Sequence, residues 1–145
     1  MTSHIAANFV PVRINLNQQP NGADRFGAVW TPTLLVVDSA GKEHYRLEGY
    51  LPATDLLEQL ELGLGHANFA SQKWTEAQQH YENVLRMFPQ GFAAPEALYW
   101  AGVSRYKASG NPQALAETAA HFKNRFQESI WAKKASVWSS APSRA

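Results

Sequence analysis

The pattern of apolar and polar residues changes character at Pro52. Before it, residues 9–16 and 43–48 alternate with the two-residue period of a half-buried strand, and residues 33–37 form a continuous apolar run typical of a buried strand. A short polar connection with Gly41 at the expected positive-φ position predicts a β-hairpin between the last two segments. About three strands are therefore expected in the first part of the chain.

Helical spacing of the apolar residues follows Pro52. Residues 89–91 and 109–112 are rich in Pro and Gly and mark breaks between helices, with Asn111 and Pro112 suited to begin the fourth helix. Ser129 can cap a fifth helix that reaches Trp138. The apolar stripes are Leu57, Leu60, Leu64 and Ala67; Ala77, Tyr81, Val84, Leu85 and Phe88; Tyr99, Gly102, Val103 and Tyr106; and Leu115, Ala119, Phe122 and Phe126.

The small residues of these helices recur at one interval. Gly65 returns as Gly102 and Ala77 as Ala114, 37 residues apart in both cases. The first copy resembles the tetratricopeptide repeat, whose ~34-residue unit places Gly and Ala where paired helices approach closely. The second copy is looser, and two repeats fall short of the usual three, so another part of the chain must cap them. The resemblance rests on Leu64-Gly65, Ala77, Tyr81, Val84 and Pro89.

The first part of the chain resembles the second half of a thioredoxin-fold domain. Residues 30–38, 41–43 and 46–50 carry this resemblance, together with residues 9–15 upstream. It implies a cis peptide bond between Thr31 and Pro32, against the alternative of an ordinary trans proline that begins a strand. It also implies a peptide-binding segment, since the corresponding family segment offers backbone groups to an extended substrate. That segment consists of Trp30, Thr31, Pro32 and Thr33.

The chain contains no cysteine. Thiol–disulfide exchange requires a thiolate, so this chain is not expected to be an enzyme of that kind. In the thioredoxin fold the cysteine-bearing strand lies between the two strands that correspond to residues 9–16 and 33–37. Without it, the two strands pair directly, two chains associate as a homodimer through their exposed edges, or a partner protein supplies the missing strand.

Fold class and domains follow from these resemblances. We expect an α/β part with a truncated thioredoxin-like sheet, then an all-α part of about five helices packed as tetratricopeptide-like hairpins. The predicted boundaries are residues 1–58, residues 59–139 sharing a continuous helix with the first part, and a frayed tail at 140–145. Residues 4–10 look like the end of a helix that precedes a strand, so we expect Met1 to be an internal or mis-assigned start of a longer reading frame, or the start of a deliberately shortened chain.

Charge is unevenly distributed along the chain. The net charge is +1, yet residues 63–145 hold nine Lys and Arg against five Asp and Glu. Two interpretations of the basic cluster remain open: a solvated outer face, or a groove that receives an acidic peptide. Nucleic acid is not an expected partner, because the nearby aromatic residues fall on core stripes. The cluster consists of Lys123, Arg125, Lys133 and Lys134.

Other candidate sites are weak. The histidines at 4, 44, 66, 80 and 121 show neither metal-ligand spacing nor a carboxylate pattern nearby, so no metal or cofactor is expected. Glu58 and Glu61 are expected on a solvated helix face. The start of the chain lacks the features of a signal peptide, and no apolar run approaches the ~20 residues that span a bilayer. A cytoplasmic location without a membrane partner is therefore predicted.

Two functions fit this sequence, beside a third interpretation of the chain as a purely structural or degenerate remnant without a partner. The first is a non-catalytic interaction module with a thioredoxin fold and tetratricopeptide-like helices, which binds a protein or an extended peptide. The alternative is the C-terminal fragment of a thioredoxin-like disulfide oxidoreductase whose cysteine-bearing half is absent from this chain.

Overall fold

The computed structural model of the chain describes residues 1–140, so residues 141–145 of the predicted tail lie outside the described part. A β-hairpin with two short helices before it is followed by five α-helices and a terminal 3₁₀ helix, which confirms the predicted fold class. The elements are α1 (Thr2–Asn8), α2 (Gly22–Phe26), β1 (Thr33–Val37), β2 (Glu43–Glu48), α3 (Ala53–Ala70), α4 (Trp74–Met87), α5 (Ala94–Ser109), α6 (Gln113–Asn124), α7 (Ile130–Ala135) and the 3₁₀ helix (Ser136–Ser140).

The predicted hairpin is confirmed. Strands β1 and β2 pair antiparallel, with Thr33 opposite Glu48, and the register shifts by one residue after Val36. Gly41 has a φ of 80° in the connection between the strands, a conformation that glycine adopts without steric penalty. The apolar run of β1 and the alternation of β2 therefore form the predicted pair of strands. The prediction that β1 is a buried strand is wrong, since Val36 is its one buried residue and Val37 is 43% exposed.

The predicted strand over residues 9–16 is wrong. This segment forms no regular element, and the sheet of the described residues has two strands rather than about three. Val10 and Val12 are 91% and 80% exposed. An extended segment becomes a strand only when a neighbour takes its backbone hydrogen bonds, and here neither β1 nor β2 lies beside it in a ladder. Direct pairing of the two segments, the first of the three expected solutions, does not occur in this structure.

The helices pack most closely at the two repeated glycines. A Cβ atom at Gly65 would lie 2.7 Å from Cδ1 of Tyr81 on α4, and one at Gly102 would lie 2.7 Å from Cβ of Thr118 on α6. Both distances are shorter than real side chains tolerate, so glycine sets the approach of each helix pair. The main core cluster lies between α3, α4 and α5 and contains Leu62, Ala77, Tyr81, Val84, Ala93, Ala97 and Ala101.

Helix α3 joins the hairpin to the other helices. Gly63 faces the hairpin, where an added Cβ would lie 2.9 Å from Cγ2 of Val36, and Gly65 faces α4 on another side. The helix runs without interruption through residues 58 and 59. Because the hairpin and α4 cover different sides of α3, this helix buries more than one stripe of side chains, including Leu60 and Leu62. The domain boundaries and the tetratricopeptide packing stay predictions.

The predicted cap of α7 is confirmed, whereas α6 begins one residue later than predicted, with Pro112 at its N-cap. The Ser129 hydroxyl accepts a hydrogen bond from the amide of Ala132 at 3.1 Å, at the start of α7. The side chain of Asn111 accepts from the amide of Gln113 at 3.0 Å, at the start of α6. Each bond satisfies one of the amides that a helix N-terminus leaves without an intrahelical partner.

Candidate functional site

The segment Trp30–Thr33 is fixed in an exposed position before β1. The Thr31–Pro32 bond is cis, as predicted, and Trp30 is 68% exposed. The Thr33 hydroxyl donates to the Trp30 carbonyl at 2.7 Å, and the Pro32 carbonyl accepts from the amide of Gly49 at 2.8 Å. The backbone of Thr31 has no hydrogen-bond partner within residues 1–140. The four predicted peptide-binding residues therefore form one ordered, accessible segment.

One edge of β1 is open. The Gly49 amide donates to the Pro32 carbonyl, which fixes the alternation of the hairpin. The backbone amide and carbonyl of every second residue of β1 therefore point toward β2. Antiparallel pairing alternates, so the amides and carbonyls of Thr33, Leu35 and Val37 point away from β2. Among the described residues these groups have no hydrogen-bond partner. We call this row of backbone groups, together with Trp30–Thr33, the strand-edge surface.

Exposed apolar side chains accompany the strand-edge surface. Val29 precedes Trp30 and is 81% exposed. Tyr50, which follows the Gly49 that bonds Pro32, is 79% exposed. Large apolar side chains exposed beside unpaired backbone groups are typical of surfaces that a partner covers.

The sequence shows no carboxylate pattern near the histidines, yet the fold brings carboxylates to most of them. Four of the five contact one: His44 contacts Asp38 at 2.8 Å and His66 contacts Glu96 at 3.1 Å, while Glu61 lies 3.0 Å from His80 and 3.4 Å from His4. These partners are far apart in the sequence or across a turn, so spacing along the chain does not show them. The hydrogen bond from His44 lowers the pKa of Asp38, and the amides of Lys42 and Ala40 lower it further.

His66 is a helix-packing residue. Its Nδ1 lies 2.9 Å from the hydroxyl of Tyr81, and its ring stacks on Tyr45 at 5.8 Å between centroids. Beside it an open cleft of about 480 Å³ separates β2 from the ends of α3 and α5. Burial raises the pKa of Tyr45 to about 12, so its hydroxyl stays protonated near neutral pH and does not act as a base. Glu96 holds one ring nitrogen of His66 and the hydroxyl of Tyr81 holds the other, and Tyr81 is fully buried.

The expectation that Glu58 and Glu61 are solvated is wrong. They are 2% and 4% exposed. The Glu58 carboxylate accepts a hydrogen bond from the amide of Ala93, directly before α5, and lies where a side chain at Gly91 would have to be. Burial raises the pKa of Glu58, and the bonds from the amides of residues 92–94 oppose that rise. Glu58 therefore ties α3 to the start of α5 and is not accessible to a ligand.

The predicted basic cluster divides into two kinds of side chain. Lys123 and Lys133 line a groove of about 530 Å³ between α6, α7 and the 3₁₀ helix. Arg125 instead donates to the carbonyl of Pro89 at 2.7 Å. The ammonium of Lys134 lies 4.1 Å from the centre of the Trp131 ring. Binding of an acidic peptide at this groove stays a prediction.

Residues 1–140 contain neither a metal-binding cluster nor a membrane-spanning helix. No three His, Asp or Glu side chains there form a group that could hold a metal ion. No helix there has both the length and the apolar character needed to cross a bilayer.

Comparison with known proteins places the N-terminal part of the chain. Residues 1–63 match the family model of a thioredoxin-like domain. Searches of curated proteins and of solved structures found no match. The matched region contains the cis Thr31–Pro32 bond and the hairpin, and it contains no cysteine. The chain therefore carries a thioredoxin-like region without the thiols on which that family's redox chemistry depends.

Proposed function

We propose that this chain is a non-catalytic interaction module that binds an extended segment of another protein at its strand-edge surface. The unpaired backbone groups of Thr33, Leu35 and Val37 are the observation that carries the proposal. A partner strand would take these groups into a ladder, the mode of recognition known as β-augmentation. The exposed side chains of Trp30 and Tyr50 would cover part of that strand.

The helical part supports this surface. Gly63 of α3 packs directly against Val36 and Tyr45, so the hairpin rests on a helix whose other side belongs to the main core. A rigid edge lowers the conformational entropy that binding must overcome. Tetratricopeptide-like packing of α3–α6 and a cytoplasmic location are parts of the same proposal, with the helices serving as the scaffold.

The proposal is tested by selecting peptides from a random-sequence phage library and measuring their affinity for two variants. Leu35→Pro removes an edge amide that does not point toward β2, and proline is tolerated at such edge positions. We expect Leu35→Pro to weaken binding about tenfold or more, because it removes one main-chain hydrogen bond and places a ring against the partner. Leu35→Ala is the matched control, since it keeps the amide, and it should bind nearly as the parent does.

Equal affinity of the parent and Leu35→Pro would contradict strand addition, provided that amide spectra show an intact hairpin in the variant. Sedimentation of the parent chain tests whether a second copy uses the same edge. In that form of the proposal the chain is a homodimer, and Leu35→Pro makes it monomeric.

The second candidate function is that of a C-terminal portion of a thioredoxin-like disulfide oxidoreductase whose cysteine-bearing half is absent from this chain. The match over residues 1–63 favours it. An in-frame Cys-x-x-Cys upstream of the codon for Met1 would support this candidate, and a nearby in-frame stop codon would remove it. The chain itself should not reduce insulin, since it has no thiol.

A further inference from the structure

The groove between α6, α7 and the 3₁₀ helix lies in a part of the chain separate from the strand-edge surface. We call it the α6–α7 groove. Its floor contains Phe122 and Ala132, and Phe122 is 3% exposed. Exposed lysines, Lys123 from α6 and Lys133 from α7, stand beside this floor. An apolar floor with a cation from each of two helices is the first feature of the site.

The charges of Lys123 and Lys133 are not compensated within the described residues. Neither lysine takes part in an ion pair there. Residues 105–145 hold seven Lys and Arg against two Asp and Glu, and one of these acids, Glu117, contacts Arg105 at 3.5 Å. Two ammonium groups without counterions at one groove attract carboxylates.

We infer that the α6–α7 groove binds an acidic segment of a partner protein, which places one apolar side chain against the half-buried Ala132 and its carboxylates beside Lys123 and Lys133. The apolar floor favours a peptide over a nucleic acid, since a polyanion needs a longer row of cations. The other two members of the basic cluster do not extend the row, because Arg125 bonds Pro89 and Lys134 covers Trp131. This inference is independent of strand addition.

A fluorescein-labelled peptide of glutamates around a single central leucine is the probe. Titrated into the full chain, it should bind saturably and more weakly as salt is added, because the lysines are exposed to screening. Replacing its leucine by glycine should weaken binding as well, since the apolar contact with the floor is lost.

Adjacent lysines provide matched variants. Lys133→Glu should weaken binding about tenfold, because it places a carboxylate against the acidic peptide. Lys134→Glu changes the net charge by the same amount one residue along, outside the groove lining, and should leave the affinity within about twofold of the parent. Thermal unfolding of both variants checks that each is folded. Leu35→Pro should not change this affinity, so failure here is distinguishable from failure of strand addition.

Three results would overturn the inference. One is an equal loss of affinity in Lys133→Glu and Lys134→Glu, which would indicate a general charge effect. Another is equally tight binding of an oligothymidylate, which would make the site a polyanion surface. The third is binding of the peptide only after residues 141–145 are removed, which would make the chain's own tail the occupant.

Discussion

Residues 1–50 and residues 53–135 differ in how far their side chains are buried. In the first region Val10, Val29 and Trp30 are largely exposed, and one edge of β1 is unpaired. In the second region even polar side chains are enclosed: Glu58 is 2% and Thr118 is 1% exposed. The helical region thus encloses more of its side chains than the thioredoxin-like region, which leaves apolar surface and backbone groups uncovered. It is not fully satisfied, since Phe92 is 86% exposed and the buried Trp100 Nε1, Ser104 Oγ and Arg105 Nε have no hydrogen-bond partner among the described residues.

The difference arises from the range of the contacts that each element needs. A helix satisfies its own backbone, so paired helices need only complementary faces, as at Gly65 and Tyr81. A strand fills both rows of its backbone hydrogen bonds only with a neighbour on each side, and among the described residues β1 has one neighbour, β2. The edge of β1 therefore keeps unpaired backbone groups, whereas a helix needs no neighbour for its backbone hydrogen bonds.

The largest predicted contrast concerns two aromatic residues. Tyr81→Ala should destabilise the chain by about 3–5 kcal/mol, because Tyr81 is fully buried and its loss leaves a cavity in the main core. Trp30→Ala should change stability by no more than about 0.5 kcal/mol, since that ring is mostly in solvent. Urea denaturation measures both. Comparable losses in the two variants would show that the first region is packed more tightly than the structure indicates.

The second contrast concerns two helical glycines. Gly65→Ala should destabilise by up to about 3 kcal/mol, since the new Cβ meets the enclosed ring of Tyr81. Gly22→Ala places a Cβ 2.6 Å from Cγ2 of Ile14, a half-exposed side chain that can move. Its effect should stay within about 0.5 kcal/mol. Both substitutions gain helix propensity, so the difference between their urea midpoints reports the packing alone.

The third prediction concerns Glu58 and pH. Glu58→Ala should destabilise by about 1–2 kcal/mol, because the amide of Ala93 loses its acceptor. Burial raises the folded-state pKa above the ordinary value of 4.5, so folding favours the protonated carboxyl. This stabilisation is complete below the unfolded-state pKa and is lost as pH rises through the folded-state pKa. Glu58→Gln should lack that component, and stability curves of the parent and the variant across this range test it.

The smallest predicted effect lies within β1 itself. The amide of Leu35 should exchange with solvent about tenfold faster than that of Val36, because only Val36 points toward β2. Hydrogen exchange followed by NMR measures both rates. A bound partner strand should slow Leu35 to the rate of Val36, whereas equal rates in the free chain would show that the edge is already covered.

Much of the fold follows from short-range pattern. Gly41 and the apolar run before it predict the hairpin, and Ser129 predicts the start of α7, because turns and helix caps depend on residues close in sequence. The candidate site is only partly predictable. Trp30–Thr33 was found by resemblance to a family, while the contacts of Glu58 with residues 92–94 involve groups some 35 residues away, and no local pattern shows them.

The sequence by itself determined the absence of thiol chemistry, the change from strand to helix period and the positions of the helix breaks, since these depend on composition and on neighbouring residues. Only the tertiary structure decided that residues 9–16 form no strand of the sheet. It also decided that Glu58 is buried and that Lys133, but not Lys134, lines a groove. The physical reason is that periodicity states which backbone conformation a segment can adopt. Its neighbours in space decide whether its hydrogen bonds and charges find partners.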